Sequence, residues 1–144
     1  KLEEITYDSK NTVNNKWIFK YDSLNNLVER DTYNSEDSLS YRSKYEFDED
    51  NNNLLISDYH SDGVLDRKRH KIYDSIGNMI AFNIYDAKGK LEHKYTSKFD
   101  SLSRKVHSIN SQNYGEYILK YNYTYDDKGN VIAEQYYFID NKYR

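Results

Sequence analysis

The residues best equipped for chemistry stand in two short runs. Arg67, Lys68, Arg69, His70 and Lys71 set five basic or imidazole groups side by side, and Asp48, Asp50 and Asn52 space oxygen ligands as at the opening of a calcium loop. The second run goes no further as a metal loop. Its sixth position is Asn53, where such loops need glycine, and its twelfth is Tyr59, where they need a bidentate glutamate. A turn closed by Asx side chains is the expected use, with no metal and no cofactor. His60, His70, His93 and His107 offer no pair at a tight ligand spacing within one strand and read as ordinary imidazoles. The chain has no cysteine nucleophile, no G-x-S-x-G elbow and no glycine-rich phosphate loop, and Asn122-Tyr123-Thr124 is read as a chance sequon.

The basic run has a sharper meaning within the pattern around it. Arg69 stands where neighbouring units place Trp17, Tyr95 and Tyr121, and Lys71 where they place Phe19, Tyr45 and Tyr123. Arg67, Arg69 and Lys71 alternate along one strand and share a face, where Tyr45 and Tyr95 can stack on guanidinium planes. With Trp17 and Tyr121 they form a candidate binding set for an acidic glycan or an anionic peptide. The competing reading lays the long stems over neighbouring rings and pairs the charged heads with Asp58 or Asp66.

The elements that must position these residues follow from composition and period. In 144 residues, hydrophobic side chains make up 37% and charged ones 31%, at a mean hydropathy of -1.08. That balance describes a disordered chain unless the 17 Tyr, 5 Phe and 1 Trp build a sheet that buries rings and leaves polar tips near water. A net charge of -3 provides no general attraction for nucleic acid or anionic lipid, no window is apolar enough for a membrane helix, and the lack of cysteine excludes a disulfide scaffold.

Aromatic-aspartate pairs recur at Tyr21-Asp22, Phe47-Asp48, Tyr73-Asp74, Phe99-Asp100 and Tyr125-Asp126, each step being 26 residues. Each pair opens a polar turn followed by an apolar restart. A second series, Tyr7, Tyr33, Tyr59, Tyr85 and Tyr137, falls between them, with Ser111 as its one failure, and its turn column Asp37, Gly63, Gly89, Gly115 and Asn141 holds residues that reach positive φ cheaply. Two turns per unit leave two strands of about nine residues, some 30 Å long. The expectation is an all-β fold: a single antiparallel meander of about eleven strands in 26-residue hairpin units, strongly twisted or partly rolled, forming one domain over residues 1–144. Trp17, Phe19 and Tyr21, and Tyr117 to Tyr125 at odd positions, gather the rings on one face. Lys16, Arg42, Lys68, Lys94 and Lys120 form a basic column on the other, a solvated face relieved by Glu29, Asp58 and Glu134 on intervening strands. Met79 to Tyr85 is apolar at both parities and is expected to be covered on both faces, while Ile109 to Tyr114 departs from the pattern and reads as a wider loop or a decayed unit.

The segments YDSIGNMI at 73–80, YDAKGKL at 85–91 and YDDKGNVI at 125–132 resemble the tyrosine-aspartate (YD, or Rhs-type) repeats of large bacterial surface and secreted proteins. The spacing and Asn-rich turns are more similar to short exported repeat proteins of gut Bacteroidetes. The resemblance implies a non-catalytic β-repeat module outside the bacterial cytoplasm: secreted, periplasmic or at the cell surface. The chain opens without Met and without the regions of a signal peptide, which suits a mature or trimmed form. The Gly-Arg turn common in Rhs repeats is mostly Asn here, and 144 residues are too few for an enclosing shell, so an encapsulating role is not carried over.

The functional expectation is a non-enzymatic binding or structural module whose aromatic face takes carbohydrate, since sugar C–H faces stack on rings while hydroxyls bond to Tyr, Asn and Asp. A protein-association or adhesion module is the alternative. A glycoside-processing enzyme comes third, because carboxylates are abundant and their separation is a three-dimensional fact. No nucleic-acid partner and no membrane insertion are expected.

Overall fold

A computed structural model describes residues 2–7 and 13–141. It contains eleven strands: β1 Leu2–Tyr7, β2 Val13–Tyr21, β3 Leu27–Tyr33, β4 Leu39–Phe47, β5 Asn53–His60, β6 Leu65–Tyr73, β7 Met79–Asp86, β8 Leu91–Phe99, β9 Lys105–Gln112, β10 Tyr117–Tyr125 and β11 Val131–Asp140. Sheet order follows chain order from β1 to β11, so the expected antiparallel meander of 26-residue hairpins is the architecture of the chain. The chain divides into two compact units, Lys1–Lys68 and Arg69–Arg144, with the boundary inside β6.

The turns explain the repeat. In the turn between β6 and β7, the Ile76 and Asn78 N–H groups donate to Asp74 Oδ1 at 3.1 and 2.9 Å, and Asn78 Nδ2 donates to Asp74 Oδ2 at 3.0 Å. The same bonds recur at Asp22 with Leu24 and Asn26 and at Asp126 with Lys128 and Asn130. At Asp100 the fourth residue on is Arg104, whose Nε reaches Oδ2 at 2.7 Å. Each turn is closed by an N–H of its fourth residue to the Asp carbonyl, as in Gly77 to Asp74, and the strand pairing then shifts by one residue. That bulge requires a left-handed residue. Asn25, Asn51, Gly77, Ser103 and Gly129 fill it at 26-residue steps, all with positive φ.

Ser103, at φ 58, is the poorest fit in that column, because its Cβ crowds the carbonyl as Gly77 and Gly129 do not. Ser103→Gly is expected to stabilise the chain by about 1 kcal/mol and to raise its melting temperature by about 3 °C. An unchanged or lower melting temperature in a thermal scan would show that Ser103 sits there without strain.

The shielded positions are short polar residues near strand centres. Asp31, Ser43, Ser57, Asp58, Ser97 and Ser108 are buried, whereas Ile56 is the one buried large apolar side chain among the described residues. Longer neighbours lean over these gaps and keep their own tips wet.

Cross-strand register corrects the expectation that the rings share one face. Trp17 and Phe19 face Thr32 and Arg30, but Tyr33 faces Lys16 and Tyr59 faces Arg42, so the second aromatic series shares the basic face. Lys16 Nζ lies 4.6 Å from the Tyr33 ring centroid and Lys44 Nζ 5.6 Å from that of Tyr59. Lys120 likewise faces Tyr137. The acidic relief differs too. Glu29 lies on the basic face opposite Lys20 and Lys44, but Asp58 faces Ser43 and Glu134 faces Tyr123, both on the opposite side. Arg42 takes its counter-charge from Asp31, its direct cross-strand neighbour.

Strand β7 is half-buried at every residue on both faces, matching its two-sided apolar pattern. The wider loop expected from Ile109 to Tyr114 does not form. Strand β9 continues to Gln112, and only Asn113–Gly115 turn, in a short 3₁₀ segment. Tyr114 adopts φ 57, held by its hydroxyl donating to Asp86 Oδ2 at 3.1 Å and by Lys90 Nζ 4.0 Å from its ring centroid.

Candidate functional site

A binding site needs polar groups that the fold has not already engaged, above all charged ones, and three recesses differ in this respect. One, about 700 Å³ in the second unit, is lined by Ile76, Ile80, Phe99 and Ile109 with Asp74, Ser97, Asp100 and His107. Its carboxylates and imidazole are engaged, Asp74 and Asp100 in their own turns and His107 Nδ1 at 2.7 Å from Asn122 Oδ1, whereas Ser97 Oγ is buried without a hydrogen-bond partner among the described residues. A recess of about 170 Å³ beside Arg42, Lys44 and Tyr59 has its basic groups engaged. Arg42 Nε and Nη2 donate to Asp31 Oδ1 and Oδ2 at 2.5 and 2.9 Å, and Lys44 sits over Tyr59.

The third recess differs. Trp17 and Phe19 of β2, Glu4 of β1 and Arg30 of β3 enclose about 170 Å³ in the first unit. Strand pairing assembles it: Glu4 faces Trp17 and Phe19 faces Arg30, and residues two apart on a strand share a face. Arg30 Nε is buried and has no hydrogen-bond partner among the described residues. On the far side of Arg30, Ser43 donates its hydroxyl to Asp58 Oδ1 at 2.7 Å, so that neighbour is occupied. A buried N–H without an acceptor is costly unless something else supplies one. Two rings, an exposed carboxylate and an unsatisfied donor around one small hollow can stack an apolar face and both accept and donate hydrogen bonds at its rim.

The other expected site residues are dispersed. Tyr45 lies on the same face as Trp17 but opposite Ile56. Arg67 is in the first unit, its Nε donating to Asp66 Oδ2 at 3.2 Å, whereas Arg69 and Lys71 belong to the second. Tyr95 and Tyr121 share a face of the second unit; Tyr121 stacks on Tyr123, and Lys105 Nζ donates to the Tyr95 hydroxyl at 2.7 Å. Burial pushes the Tyr95 phenol up, but hydrogen bonding, first from Lys105, and the Lys105 charge outweigh it and hold the group below its ordinary value. The Asp48 run closes its turn, with Asn52 N–H and Nδ2 donating to the Asp48 carboxylate at 2.7 and 3.1 Å.

A polar cluster that the sequence did not suggest joins Tyr41, His60 and Asp66. Tyr41 donates to Asp66 Oδ2 at 2.9 Å, and His60 Nε2 lies 3.6 Å from Asp66 Oδ1. Burial, then the bond to Asp66, pushes the Tyr41 phenol up to about 12, so it stays a donor over the whole physiological range. Glu4 and Arg30 were also missed. Their repeat column continues Ile56, Phe82, Ser108 and Glu134, so it mixes charged, polar and apolar residues and did not mark them.

No protein-family model matches the chain, and no curated protein does. Among solved structures, the crystal structures of TcdB2-TccC3-Cdc42 and TcdB2-TccC3 each align over 94% of this chain with a TM-score of 0.56, at 15% and 16% identity. The likeness is one of fold. This chain spans 9% of the length of each of those chains, so the shared fold is a segment of theirs. It agrees with the YD-repeat resemblance at the level of a β-sheet repeat module.

Proposed function

We propose that this chain is a non-enzymatic β-repeat module of the bacterial exterior that binds carbohydrate in the Trp17 recess. The observation that carries the proposal is the buried Arg30 Nε, unpartnered among the described residues, beside two aromatic rings and the Glu4 carboxylate. A pyranose presents an apolar C–H face and a rim of hydroxyls, each of which accepts and donates. Stacked on Trp17 or Phe19, its hydroxyls take a hydrogen bond from Arg30 and give one to Glu4. A neutral sugar suits this pair better than an acidic one, because a ligand carboxylate near Arg30 would also meet Glu4. The non-enzymatic reading is supported by the repeat carboxylates, which serve their own turns. The exterior location rests on the YD-repeat resemblance.

Trp17 is the single tryptophan of the chain and reports directly on its own recess. A glycan array followed by fluorescence titration is expected to find neutral oligosaccharides that shift the Trp17 emission. Arg30→Gln is expected to weaken that binding at least about tenfold, equivalent to about 1.4 kcal/mol, with an unchanged melting temperature, while Trp17→Tyr retains part of it. Array-wide silence, or binding indifferent to both substitutions, would remove the recess as the site.

A further inference from the structure

The repeat column that holds Phe19, Tyr45 and Tyr123, with Lys71 as its long polar member, comes down to Ser97 on β8, so a large side chain is missing there. Across the β8–β9 ladder Ser97 meets Ser108, which supplies no bulk either. On its other side the pairing of β7 with β8 ends at Ala81 and Thr96, although β7 begins at Met79 and β8 runs to Phe99. The strand ends part there, and residues of both faces border one opening. The recess of about 700 Å³ is that opening, with Ile80, Phe99 and Ile109 in its walls and the Asp74 and Asp100 turns at the rim. Asn78 Nδ2 spans the rim to Ser103 Oγ at 3.4 Å, a longer reach than the 2.6 Å from Asn26 Nδ2 to Asn51 Oδ1 at the same place between β3 and β4.

Two features point to an occupant. Ser97 lines the recess and is 5% exposed, yet its Oγ has no hydrogen-bond partner among the described residues. Ile76 and Leu102, at the tips of the two adjacent turns, are 69% and 70% exposed, where turns ordinarily carry polar side chains.

We propose that this recess binds an uncharged aryl molecule, its ring taking the space a tyrosine would fill and its hydroxyl bonded to Ser97. Packed against Ile80 and Phe99, the ring restores contacts that the column makes elsewhere with its own side chains. A ligand hydroxyl can donate to Ser97 Oγ or accept from it. The volume exceeds one ring and lies within the range of about 300–1,000 Å³ usual for small-molecule sites, so an aliphatic extension reaches toward Ile76. Charge is selected against. Asp74 and Asp100 stand at the entry and repel an anion, and Lys98 faces His107 on the side of β8 opposite to Ser97, so a carboxylate beside Ser97 would be buried without a counter-charge. An ammonium there would need a carboxylate, and both are committed to their own turns. The inference is independent of the carbohydrate reading, because the Trp17 recess lies in the first unit and this one in the second.

N-phenylnaphthylamine, an uncharged dye whose emission rises in apolar surroundings, is expected to brighten with the full chain. Para-propylphenol should displace it at a concentration at least about tenfold lower than para-propylbenzoate at neutral pH, and about fivefold lower than propylbenzene, which has no hydroxyl. Ser97→Tyr returns a ring to the column and should abolish the brightening with a melting temperature unchanged or raised. Ser97→Ala keeps the space and removes only the hydroxyl, so the chain should still take the dye and lose its preference for the phenol over propylbenzene. Absence of brightening, equal displacement by phenol and benzoate, undiminished binding in Ser97→Tyr or a phenol preference that survives Ser97→Ala would each overturn the proposal. The sugar-dependent shift of Trp17 emission should persist in Ser97→Tyr, so failure at one recess is read separately from failure at the other.

Discussion

Asp31→Ala is expected to cost about 2–3 kcal/mol of stability, read as a fall in the urea midpoint. Asp31 is 3% exposed, and both its oxygens accept from Arg42 in a bidentate pair, with Lys20 Nζ 3.9 Å away. Lys20 is itself bonded to Glu29, and that bond first of all raises its pKa. Removing the Asp31 carboxylate leaves the Arg42 guanidinium with Glu29 alone, 3.5 Å from its Nε. A buried pair broken on one side typically costs about 3–5 kcal/mol, and the partial exposure of Arg42 reduces that figure. Asp31→Ala with Arg42→Met should recover part of the loss, because the uncompensated charge is then gone as well. A cost below about 1 kcal/mol for Asp31→Ala would mean that solvent already screens the pair.

Acid is expected to unfold the chain cooperatively below about pH 4, through its repeat carboxylates together. Asp22, Asp74, Asp86, Asp100 and Asp126 are all held below the ordinary value of 3.8. In each case the largest cause is a hydrogen bond from the residue four positions on: Asn26, Asn78, Lys90, Arg104 or Asn130. In the unfolded chain these bonds are absent and the carboxyls titrate near 3.8, so around that pH the unfolded state binds more protons than the folded one. The stabilisation is complete above the unfolded value and disappears as pH falls through the folded values. Urea midpoints measured from about pH 7 to about pH 2.5 should stay level at first and then fall steeply.

The chain contains its own control. Asn34 accepts the Glu36 and Ser38 N–H groups at 3.0 Å each, holding the same turn without a titrating group. Asp74→Asn with Asp126→Asn should therefore preserve the fold at neutral pH and flatten the acid limb. An equally steep limb in that variant would mean that other groups govern acid unfolding.

Much of this molecule was legible in one dimension because its strongest constraints are local. A hairpin turn is closed by atoms within five residues of one another, so the aspartate that accepts two backbone N–H groups, the side chain that reaches back to it and the left-handed residue between them all appear as a motif. Repeating that motif every 26 residues leaves no room for elements other than strands of the observed length. Positive φ at Asp37, Gly63, Gly89 and Gly115 belongs to the same class, as does the turn built on Asp48.

What faces what was decided only by the folded sheet. Each turn carries a bulge, and a shift of one residue transfers a whole strand's side chains to the other face. That is how Tyr33 and Tyr59 came to lie with the basic residues, and how Asp31 rather than Asp58 came to neutralise Arg42. The basic run from Arg67 to Lys71 was conspicuous as a string of letters, yet Arg67 rests on the adjacent Asp66. Arg30, in a repeat column that mixes charged and apolar residues, acquires its meaning from Phe19 across one ladder and from an already occupied Ser43 across the next. Local hydrogen bonds are written in neighbouring residues. Unsatisfied ones become visible only when distant strands have been laid side by side and every other partner has been taken.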